Sequence, residues 1–258
     1  MYEIVQYLDG LKMCVIQGDK GMSAIIKLVG IHEGAATTAI MKYLREGMTV
    51  IDIGANIGYY AFLEARAVNS SGRVYAIEPS PESYAPLEEG RKLNEFSWMS
   101  THQIAIGTYS GEILFNLGHM SNSSNVIDDK DPNLTEWAHA HLANAMRDSV
   151  MVPCETIDSF VDRLDINNID ILRMDVEGYE LEIMKHADTT LSRMNDSSII
   201  FMETHPLFFE DRSGYVSMTA CLNEYGFKPH KILRNGDLEE IDAEIIAGAD
   251  VLHVFWVR

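Results

Sequence analysis

Basic residues are scarce in this chain of 258 residues. Lysine and arginine together number 20, against 39 aspartates and glutamates, so the formal net charge is −19. A surface with that charge repels phosphate backbones and anionic lipid. We therefore expect no nucleic-acid partner, although a local basic patch remains compatible with the composition.

Cysteines are few, and long apolar runs are missing. Cys14, Cys154 and Cys221 are far apart, form no CxxC pair and leave an odd thiol in any disulfide scheme, so we interpret them as reduced, buried residues of a cytoplasmic protein. No segment approaches the roughly 18 apolar residues of a membrane-spanning helix, and the N-terminus lacks the pattern of an export signal. We therefore expect no membrane insertion.

The residues that are present alternate between strand and helix patterns. TVIDIG (49–54), RVYAIEP (73–79) and HQIAIG (102–107) have the composition of buried strands, and DILRMD (170–175) and SIIFME (198–203) continue the series. Segments of helical pattern separate them. Strands connected by helices of this length predict a parallel sheet that is covered on both faces.

The N-terminal part has a different pattern. YEIVQYL and LKMCVIQ are predicted as strands on either side of a turn at Asp9 and Gly10, and AIIKLVG as a further short strand. Residues 33–46, EGAATTAIMKYLRE, carry apolar positions at helical spacing and stop before Gly47, as a helix does. We expect this part to cap the sheet.

One stretch, VIDIGANIGYY (50–60), combines a buried strand with an acidic end and a glycine turn. In an open parallel sheet, ligands bind outside the carboxyl ends of the strands. Gly54 and Gly58 permit a tight turn and the close approach of a ligand to the backbone, and we place Asp52 at the rim of that turn. Glu78 ends the next strand, where a carboxylate can accept both hydrogen bonds of a ribose diol.

Two cofactor classes use this geometry. A dinucleotide site requires GxGxxG, but here Asn56 occupies the middle glycine position and Tyr59 follows Gly58 directly. A carboxylate such as Asp52 repels a pyrophosphate, whereas it suits an ammonium and a sulfonium cation. S-adenosylmethionine carries a ribose diol, an ammonium and a sulfonium, so it is the cofactor that we predict.

A second group of polar residues follows two later strands. Asp175 ends DILRMD, and Glu203 and His205 lie at the end of the strand in FMETHP. A carboxylate that closes an apolar strand is costly to desolvate without a partner. These three residues could supply the base that deprotonates a hydroxyl acceptor, or could hold Mg²⁺ or another hard cation. For Glu177 and Glu180, helix capping is an alternative to a role in the site.

The stretches VIDIGANIGYY, GRVYAIEPSPESYAPL and ILRMDVEGYELEIM resemble the FkbM family of class I, S-adenosylmethionine-dependent methyltransferases. The likeness extends from about Glu33 to Pro206. It implies a Rossmann-like α/β fold with a seven-stranded, mostly parallel sheet, helices on both faces and a last strand that inserts antiparallel. The family usually has lysine where Arg173 stands and often a small residue where Tyr179 stands.

The resemblance also implies roles for particular residues. Glu78 would hold the ribose, the strand around Ala105 would border the adenine, and the glycine turn would bind the methionine end. The full predicted set of cofactor contacts is Asp52, Gly54, Ala55, Asn56, Gly58, Tyr59, Glu78, Ala105, Asp175 and Glu177. The predicted catalytic residues are Asp175, Glu203 and His205, and the metal ligands are left open.

We expect a single domain over residues 1–258, because no linker rich in proline, glycine or serine divides the chain. Its predicted parts are the N-terminal strands and helix (1–46), a cofactor half (47–111), an insertion (112–165) and an acceptor half (166–258). Within the insertion, residues 118–131 are either a lid over the acceptor or a flexible loop, with a solvated turn at positions 128, 129 and 131. His141, in a predicted helix, is interpreted as a surface residue.

The predicted activity is methyl transfer from S-adenosylmethionine to the oxygen of a small-molecule or glycan acceptor. A nicotinamide-dependent oxidoreductase is the enzymatic alternative, and a non-catalytic nucleoside-binding scaffold is the alternative without turnover. Binding measurements with S-adenosylmethionine, S-adenosylhomocysteine and NAD, followed by a methyl-release assay, distinguish the three. Neither the acceptor nor the oligomeric state is specified by these motifs.

Overall fold

The structure is a computed structural model that describes residues 1–8, 10–127 and 130–258. Asp9 of the predicted first turn and positions 128 and 129 of the predicted solvated turn lie outside the described residues. The described strands are β1 (Tyr2–Tyr7), β2 (Leu11–Ile16), β3 (Thr49–Ile53), β4 (Arg73–Ile77), β5 (Met99–His102), β6 (Ala105–Ile106), β7 (Gly111–Gly118), β8 (Met146–Glu155), β9 (Ile169–Met174), β10 (Met194–Thr204), β11 (Lys228–Ile232), β12 (Leu238–Glu240) and β13 (Leu252–Val257). The described helices are α1 (Met22–Val29), α2 (Gly34–Tyr43), α3 (Tyr59–Val68), α4 (Pro81–Leu93), α5 (Glu136–Ala145), α6 (Ile157–Arg163), α7 (Glu180–Met184), α8 (Asp188–Ser192), α9 (Ser213–Glu224) and α10 (Ala243–Gly248), with a short 3-10 turn at Pro206–Phe208.

The largest sheet has the strand order β12-β11-β13-β10-β9-β3-β4-β5 in the described part of the chain. From β5 to β10 neighbouring strands are parallel, and β13 inserts antiparallel between β10 and β11. The predicted mostly parallel sheet and its antiparallel last strand are therefore confirmed. The strand order reverses at β3, which is where ligands bind in open sheets.

The sheet has eight described strands rather than the predicted seven. The additional edge strand, β12, lies in the acidic segment DLEEIDAE (237–244), whose acidic residues are disfavoured in strands. In this strand Glu240 pairs with His230, and Leu238 pairs with Ile232. The backbone of β11 would otherwise present unpaired groups at the sheet edge, so pairing outweighs the low strand propensity of acidic residues.

The central strands bury side chains on both faces, as a sheet covered by helices requires. Val50 packs into the core on one face, together with Phe62 of α3. The next residue, Ile51, packs into the core on the other face, together with Phe160 of α6. This alternation follows from the two-residue period of a strand. Met13 of β2 belongs to the first of these cores, so the predicted N-terminal cap covers that face.

The segment AIIKLVG, predicted as a strand, lies in helix α1 instead. At the start of this helix the Asp19 carboxylate accepts hydrogen bonds from the backbone N–H groups of Gly21 and Ser23, both at 3.0 Å. Gly30 ends the helix with a φ of 75°. A short apolar run has no resolvable period, so the residues at its two ends decided the structure.

The predicted third strand, HQIAIG, divides into two elements. His102 ends β5 in the large sheet, whereas Ala105 and Ile106 form β6 in a separate three-stranded sheet of order β6-β8-β7. In that sheet Ala105 lies opposite Cys154 of β8. The chain therefore leaves the large sheet here because the insertion offers it a different hydrogen-bonding partner.

The cysteines are free thiols, with Cys14 and Cys154 buried and Cys221 exposed. The expected burial is therefore wrong for Cys221, which lies on the outer side of α9. Among the described residues, no single helix combines the length and apolar composition needed to cross a bilayer. Helices α1 and α2 meet that criterion only jointly, with a bend of 88° between them.

Candidate active site

A cavity of about 310 Å³ lies at the carboxyl ends of β3, β4, β9 and β10. Its size is typical of a small-molecule site. The predicted site residues that line it are Gly54, Ala55, Asn56, Tyr59, Glu78, Ala105, Asp175, Glu177, Glu203 and His205. Two predicted cofactor contacts, Asp52 and Gly58, lie outside this lining. With these exceptions, the fold brings the sequence-predicted residues together in one place.

The turn after β3 is tight at its two glycines, as predicted, and both glycines also pack closely against the rest of the protein. Gly54 has a φ of 82°, and a Cβ atom there would lie 1.8 Å from the carbonyl oxygen of Asp175. The end of β9 therefore approaches this backbone closely, while Gly54 also lines the cavity. Gly58 has a φ of 99°, and a Cβ atom there would lie 2.5 Å from the Phe62 ring. Both glycines permit the turn to pack closely against its surroundings.

Glu78 places both carboxylate oxygens at this turn. Its Oε2 accepts a hydrogen bond from the N–H of Asn56 at 2.8 Å, and its Oε1 accepts one from the N–H of Ser80 at 2.8 Å. Burial raises the pKa of Glu78 to about 7, although these two hydrogen bonds oppose the shift. Each oxygen keeps a lone pair, so the residue can also accept from the hydroxyls of a diol.

Asp52 forms a buried ion pair behind the turn. Nη1 of Arg173 donates to Asp52 Oδ1 at 2.7 Å, and Nη2 donates to Asp175 Oδ2 at 3.0 Å. Asp52 is fully buried, so the expectation that it lies at the rim beside a cofactor cation is wrong. The Arg173 guanidinium also lies 4.1 Å from the centroid of the Tyr60 ring. An arginine inside an apolar strand is the signal that could have found this pair, because a buried cation requires a partner.

His205 is oriented by the buried carboxylate of Glu180, a residue for which the sequence left open a role in the site or in helix capping. Its Nδ1 lies 2.7 Å from Oε1 of Glu180, which also accepts the N–H of Gly178 at 3.0 Å. The Tyr215 hydroxyl donates to the other Glu180 oxygen at 3.4 Å. Because Glu180 and Tyr215 are fully buried, this arrangement fixes the imidazole ring and directs Nε2 to the other side.

The Nε2 atom of His205 lies near two further carboxylates. It is 3.5 Å from Glu177 Oε2 and 3.8 Å from Glu203 Oε2. Burial lowers the pKa of His205, but the charge and hydrogen bond of Glu180, with the charges of Glu177 and Glu203, raise it to about 10 overall. Burial raises the pKa of Glu177 to about 8 and that of Glu203 to about 10. The site therefore favours positive charge, on the imidazole or on a bound ligand.

The N-terminal cap contributes a carboxylate that sequence reasoning missed. Glu33 lines the cavity, and its Oε2 accepts from the Tyr60 hydroxyl at 2.9 Å and lies 3.0 Å from Nε2 of His253. Its Oε1 lies 2.9 Å from Nε2 of His32. Burial raises the pKa of Glu33, but the hydrogen bonds from the two histidines outweigh burial and hold it below its usual range. No local pattern marks this residue, because two of its partners are distant in sequence.

Residues of the insertion complete the cavity wall. They are Phe115, Ser121, Asn122, Ser124, Asn125, Val126, Trp137 and His141. The N–H and hydroxyl of Ser121 donate to Asp19 at 3.0 and 2.8 Å, and its carbonyl accepts from the Asn56 side chain at 2.9 Å. The loop is thereby tied to the N-terminal cap and to the glycine turn. His141 was expected at the surface, but α5 turns it towards the cavity.

Glu64, in α3, is a buried carboxyl whose two oxygens have no hydrogen-bond partner among the described residues. Burial raises its pKa well above the usual range, and the nearby Asp52 charge adds to this. The pKa of Glu64 is therefore higher in the folded protein than in the unfolded one. Above about pH 4.3 the unfolded glutamate is ionised, and this residue then lowers the free energy of unfolding. We expect Glu64→Met to raise the free energy of unfolding at neutral pH by about 1–3 kcal/mol.

The stability gained by Glu64→Met should decrease as the pH falls from neutral to below about pH 4.3. The Glu64 carboxyl is then protonated in both the folded and the unfolded protein. Urea denaturation of the two proteins at a series of pH values measures the difference. A loss of stability at neutral pH would show that Glu64 has a compensating partner.

The fold and the site together define the class of protein. A sheet that reverses its strand order at β3, with an antiparallel strand between β10 and β11 and a ligand cavity at the carboxyl ends, is the arrangement of a class I methyltransferase. The family model of the Methyltransferase FkbM domain matches residues 52–229, which is more than half of the chain. The chain belongs to this family.

Individual relatives are distant. The chain is 23% identical over 145 residues to Methyltransferase 1 of Beauveria bassiana, a match that covers 54% of this chain and 58% of that protein. It is 24% identical over 166 residues to the hexuronic acid methyltransferase AglP of Haloferax volcanii, with 64% of this chain and 59% of that protein covered. The chain thus spans about three fifths of the length of these curated relatives.

A solved structure is similar in fold. It comes from Clostridium thermocellum, is described as an rRNA-methylase, and superposes on this chain with a TM-score of 0.51 at 10% sequence identity. The superposition covers 87% of this chain and 95% of that one. At this level of identity the likeness concerns the fold alone.

Proposed function

We propose that this protein transfers the methyl group of S-adenosylmethionine to a hydroxyl oxygen of a small-molecule or glycan acceptor. The observation that carries the proposal is the meeting of Glu78 with Asp175, Glu177 and Glu203 in one cavity. The first can accept from a ribose diol, and the other three favour a ligand with positive charge. Membership of a methyltransferase family supports the same function.

The same charges argue against a nicotinamide-dependent oxidoreductase. A dinucleotide would bring its pyrophosphate into a cavity lined by carboxylates, which repel it. Asn56, with a φ of 50°, also occupies the position where a dinucleotide turn has its middle glycine. A non-catalytic scaffold would bind the cofactor without turnover, so a methyl-release assay separates it from the enzyme.

The chain's own residues have two tasks in this reaction. Glu78 would hold the ribose hydroxyls, and Asp175 with Glu177 would hold the positively charged end of the cofactor. The bound cofactor supplies an electrophilic methyl group on a sulfonium, so the protein has only to align the acceptor oxygen and take its proton.

The proton is best taken by a carboxylate. His205 was one of three predicted bases, but a pKa of about 10 leaves it protonated at neutral pH. Asp175 and Glu203 remain. Burial and the Asp175 charge raise the pKa of Glu203 to about 10 as well, so Glu203 acts as the base only when a positive charge, on His205 or on the bound ligand, keeps it ionised. We assign proton removal to these carboxylates, and we assign to His205 the task of holding Glu203 and balancing its charge.

A divalent cation is a second candidate ligand for the same residues. One oxygen of Asp175, one of Glu203 and a ring nitrogen of His205 lie within 4.8 Å of one another. Such an ion would have to displace the proton of His205. If a divalent cation binds here, a chelator should abolish methyl transfer and Mg²⁺ should restore it. Activity that a chelator does not change would reject the cation.

Thermal and chemical denaturation with cofactor forms test the central proposal. At about a hundredfold excess over its Kd, S-adenosylhomocysteine should raise the free energy of unfolding by about 2.7 kcal/mol, because it binds only the folded state. NAD should have no comparable effect. If neither S-adenosylmethionine nor S-adenosylhomocysteine shifts the Tm at millimolar concentration, the proposed cofactor is wrong.

Glu78→Ala should weaken the binding of S-adenosylhomocysteine by about tenfold or more, since hydrogen bonds to a charged group contribute about 1.5–3 kcal/mol. Calorimetry measures this directly. The matched control is Glu82→Ala, which removes a carboxylate from the exposed side of α4 and should leave binding unchanged. Parental affinity in Glu78→Ala would remove this residue from the cofactor site.

Three further observations support proposals on the acceptor, the location and the partners. The relative from Haloferax volcanii is by name a hexuronic acid methyltransferase, which supports an acceptor that carries hydroxyl groups. The net charge of −19 disfavours a nucleic-acid partner, and free thiols are typical of the cytoplasm. Release of labelled methyl groups into a fractionated metabolite extract would identify the acceptor.

A further inference from the structure

An aromatic wall extends from α5 to His205 along the cavity. Trp137 and His141 are stacked, with ring centroids 4.8 Å apart and planes 11° from parallel. The Phe208 centroid lies 5.6 Å from that of Trp137, 5.9 Å from that of His141 and 5.6 Å from that of His205. All four rings line the cavity. They form one continuous aromatic surface that ends at His205 and the proposed catalytic carboxylates.

Trp137 is the exposed end of this wall. Its side chain is 46% exposed, although it packs against two other rings. The position of Trp137 is fixed by its helix, because Ala138 and Leu142 of the same helix are buried in a cluster with Phe208. An indole that is held rigidly and left half in water beside a cavity offers a large apolar face to a ligand at little entropic cost.

The remaining lining of the cavity combines apolar side chains, such as Ile53 and Phe115, with polar and acidic ones. Side-chain hydroxyls and amides come from Ser121, Asn122, Ser124 and Asn125, and Glu33 and Glu203 add carboxylates that are not assigned to the cofactor. Such groups donate to and accept from neutral hydroxyls. A ligand that satisfies both this lining and the aromatic wall has an apolar ring face and several hydroxyls.

The charges of the cavity set a further condition on the acceptor. Arg173 is the one lysine or arginine in the described lining, and it already binds Asp52 and Asp175. The imidazole of His205 is bound to Glu180. A negatively charged acceptor would therefore find the one guanidinium of the described lining already engaged. It would also meet Glu33, whose pKa the hydrogen bonds of two histidines hold below its usual range, and like charges repel.

We propose that the aromatic wall binds the ring of an uncharged sugar, with the apolar face of the sugar on Trp137 and its hydroxyls among the carboxylates and amides. This inference rests on the proposed methyl transfer and names its acceptor class. It also states a selectivity, because a hexuronic acid carries a carboxylate and is a poor ligand for this site. A planar phenol would stack on the same wall but would leave most of the polar lining unpaired.

Ligand titrations of the protein saturated with S-adenosylhomocysteine test the acceptor class. The probes are the methyl glycosides of glucose, galactose and mannose, with glucuronate and catechol for comparison, and the readout is tryptophan fluorescence. At least one glycoside should bind at millimolar concentration, and glucuronate should bind at least about tenfold more weakly at neutral pH. Absence of glycoside binding, equal binding of glucuronate or tighter binding of catechol overturns the proposal.

Variants of the wall assign the binding to Trp137. By calorimetry, Trp137→Ala should weaken glycoside binding by about tenfold, and Trp137→Phe should retain most of it. The matched control is Tyr109→Ala, which removes an aromatic side chain of 48% exposure from outside the cavity and should have no effect. Parental glycoside affinity in Trp137→Ala overturns the proposal.

The Tm shift with S-adenosylhomocysteine is measured on every protein. A parent that shows no shift contradicts the methyltransferase proposal itself and, with it, this inference. A normal shift combined with unchanged glycoside binding in Trp137→Ala contradicts the acceptor site alone. The two failures are thereby distinguishable.

Discussion

Arg173→Met is expected to lower the free energy of unfolding by about 3–5 kcal/mol, the usual loss when one partner of a buried ion pair is removed. The guanidinium binds two carboxylates, and one of them, Asp52, is fully buried. Without Arg173, Asp52 has to bury an uncompensated charge or take up a proton. Methionine retains much of the apolar volume, so the loss reports mainly the charge. Urea denaturation at neutral pH measures it.

Two further variants separate the charge of Arg173 from its shape. Arg173→Lys keeps the positive charge but lacks the planar fork that reaches two carboxylates, so it should lose less stability than Arg173→Met. As the matched control, Lys42→Met removes a cation from an exposed pair with Asp237 and should cost less than about 1 kcal/mol. An Arg173→Met protein as stable as the parent would show that the buried pair contributes nothing to folding.

His205→Ala and Glu203→Gln should each reduce methyl transfer by about a hundredfold or more, the scale of losing a positioned acid or base. The His205 ring lies 3.8 Å from the Glu203 carboxylate, and the two belong to one group of coupled charges at the strand ends. Both residues lie on the acceptor side of our assignment, so the affinity for S-adenosylhomocysteine should change little. Transfer of labelled methyl groups measures turnover, and calorimetry measures the affinity.

Two further variants make this result specific. His230→Ala removes a histidine of β11 outside the cavity and should leave turnover unchanged. Glu180→Gln should lower the pKa of His205 and shift the pH profile of turnover to lower pH, because Glu180 supplies the main interaction that raises that pKa. Near-parental turnover in both His205→Ala and Glu203→Gln would reject this assignment and direct the search for the catalytic residues to the insertion.

The carboxylates at the strand ends were predictable because their signals are local. Asp52, Glu78, Asp175 and Glu203 each follow an apolar run, and the parallel strands of one sheet end at the same edge. Their partners were not predictable in the same way. Asp52 pairs with an arginine 121 residues away in the chain. A buried arginine requires a carboxylate partner, but this rule does not identify which of the four strand-end carboxylates binds it.

Segments with a weak or mixed period were decided by other signals. AIIKLVG became a helix because of nearby residues, since the Asp19 carboxylate accepts N–H groups at its start. Two strands were decided by tertiary contacts. Ala105 left the large sheet because β8 offered a partner, and the acidic segment at Leu238–Glu240 became a strand because β11 had a free edge. In both strands the local preference was small compared with a set of backbone hydrogen bonds.

The α/β class, the family resemblance and the location of the glycine turn could be predicted before folding was considered, because alternating strands and helices and a turn motif are encoded in consecutive residues. Three features emerge only in the folded chain: Asp52 lies behind the turn, Glu180 orients His205, and Trp137 and His141 reach the cavity from the insertion. Burial, ion pairing and the resulting pKa values depend on groups that folding brings together from distant parts of the chain.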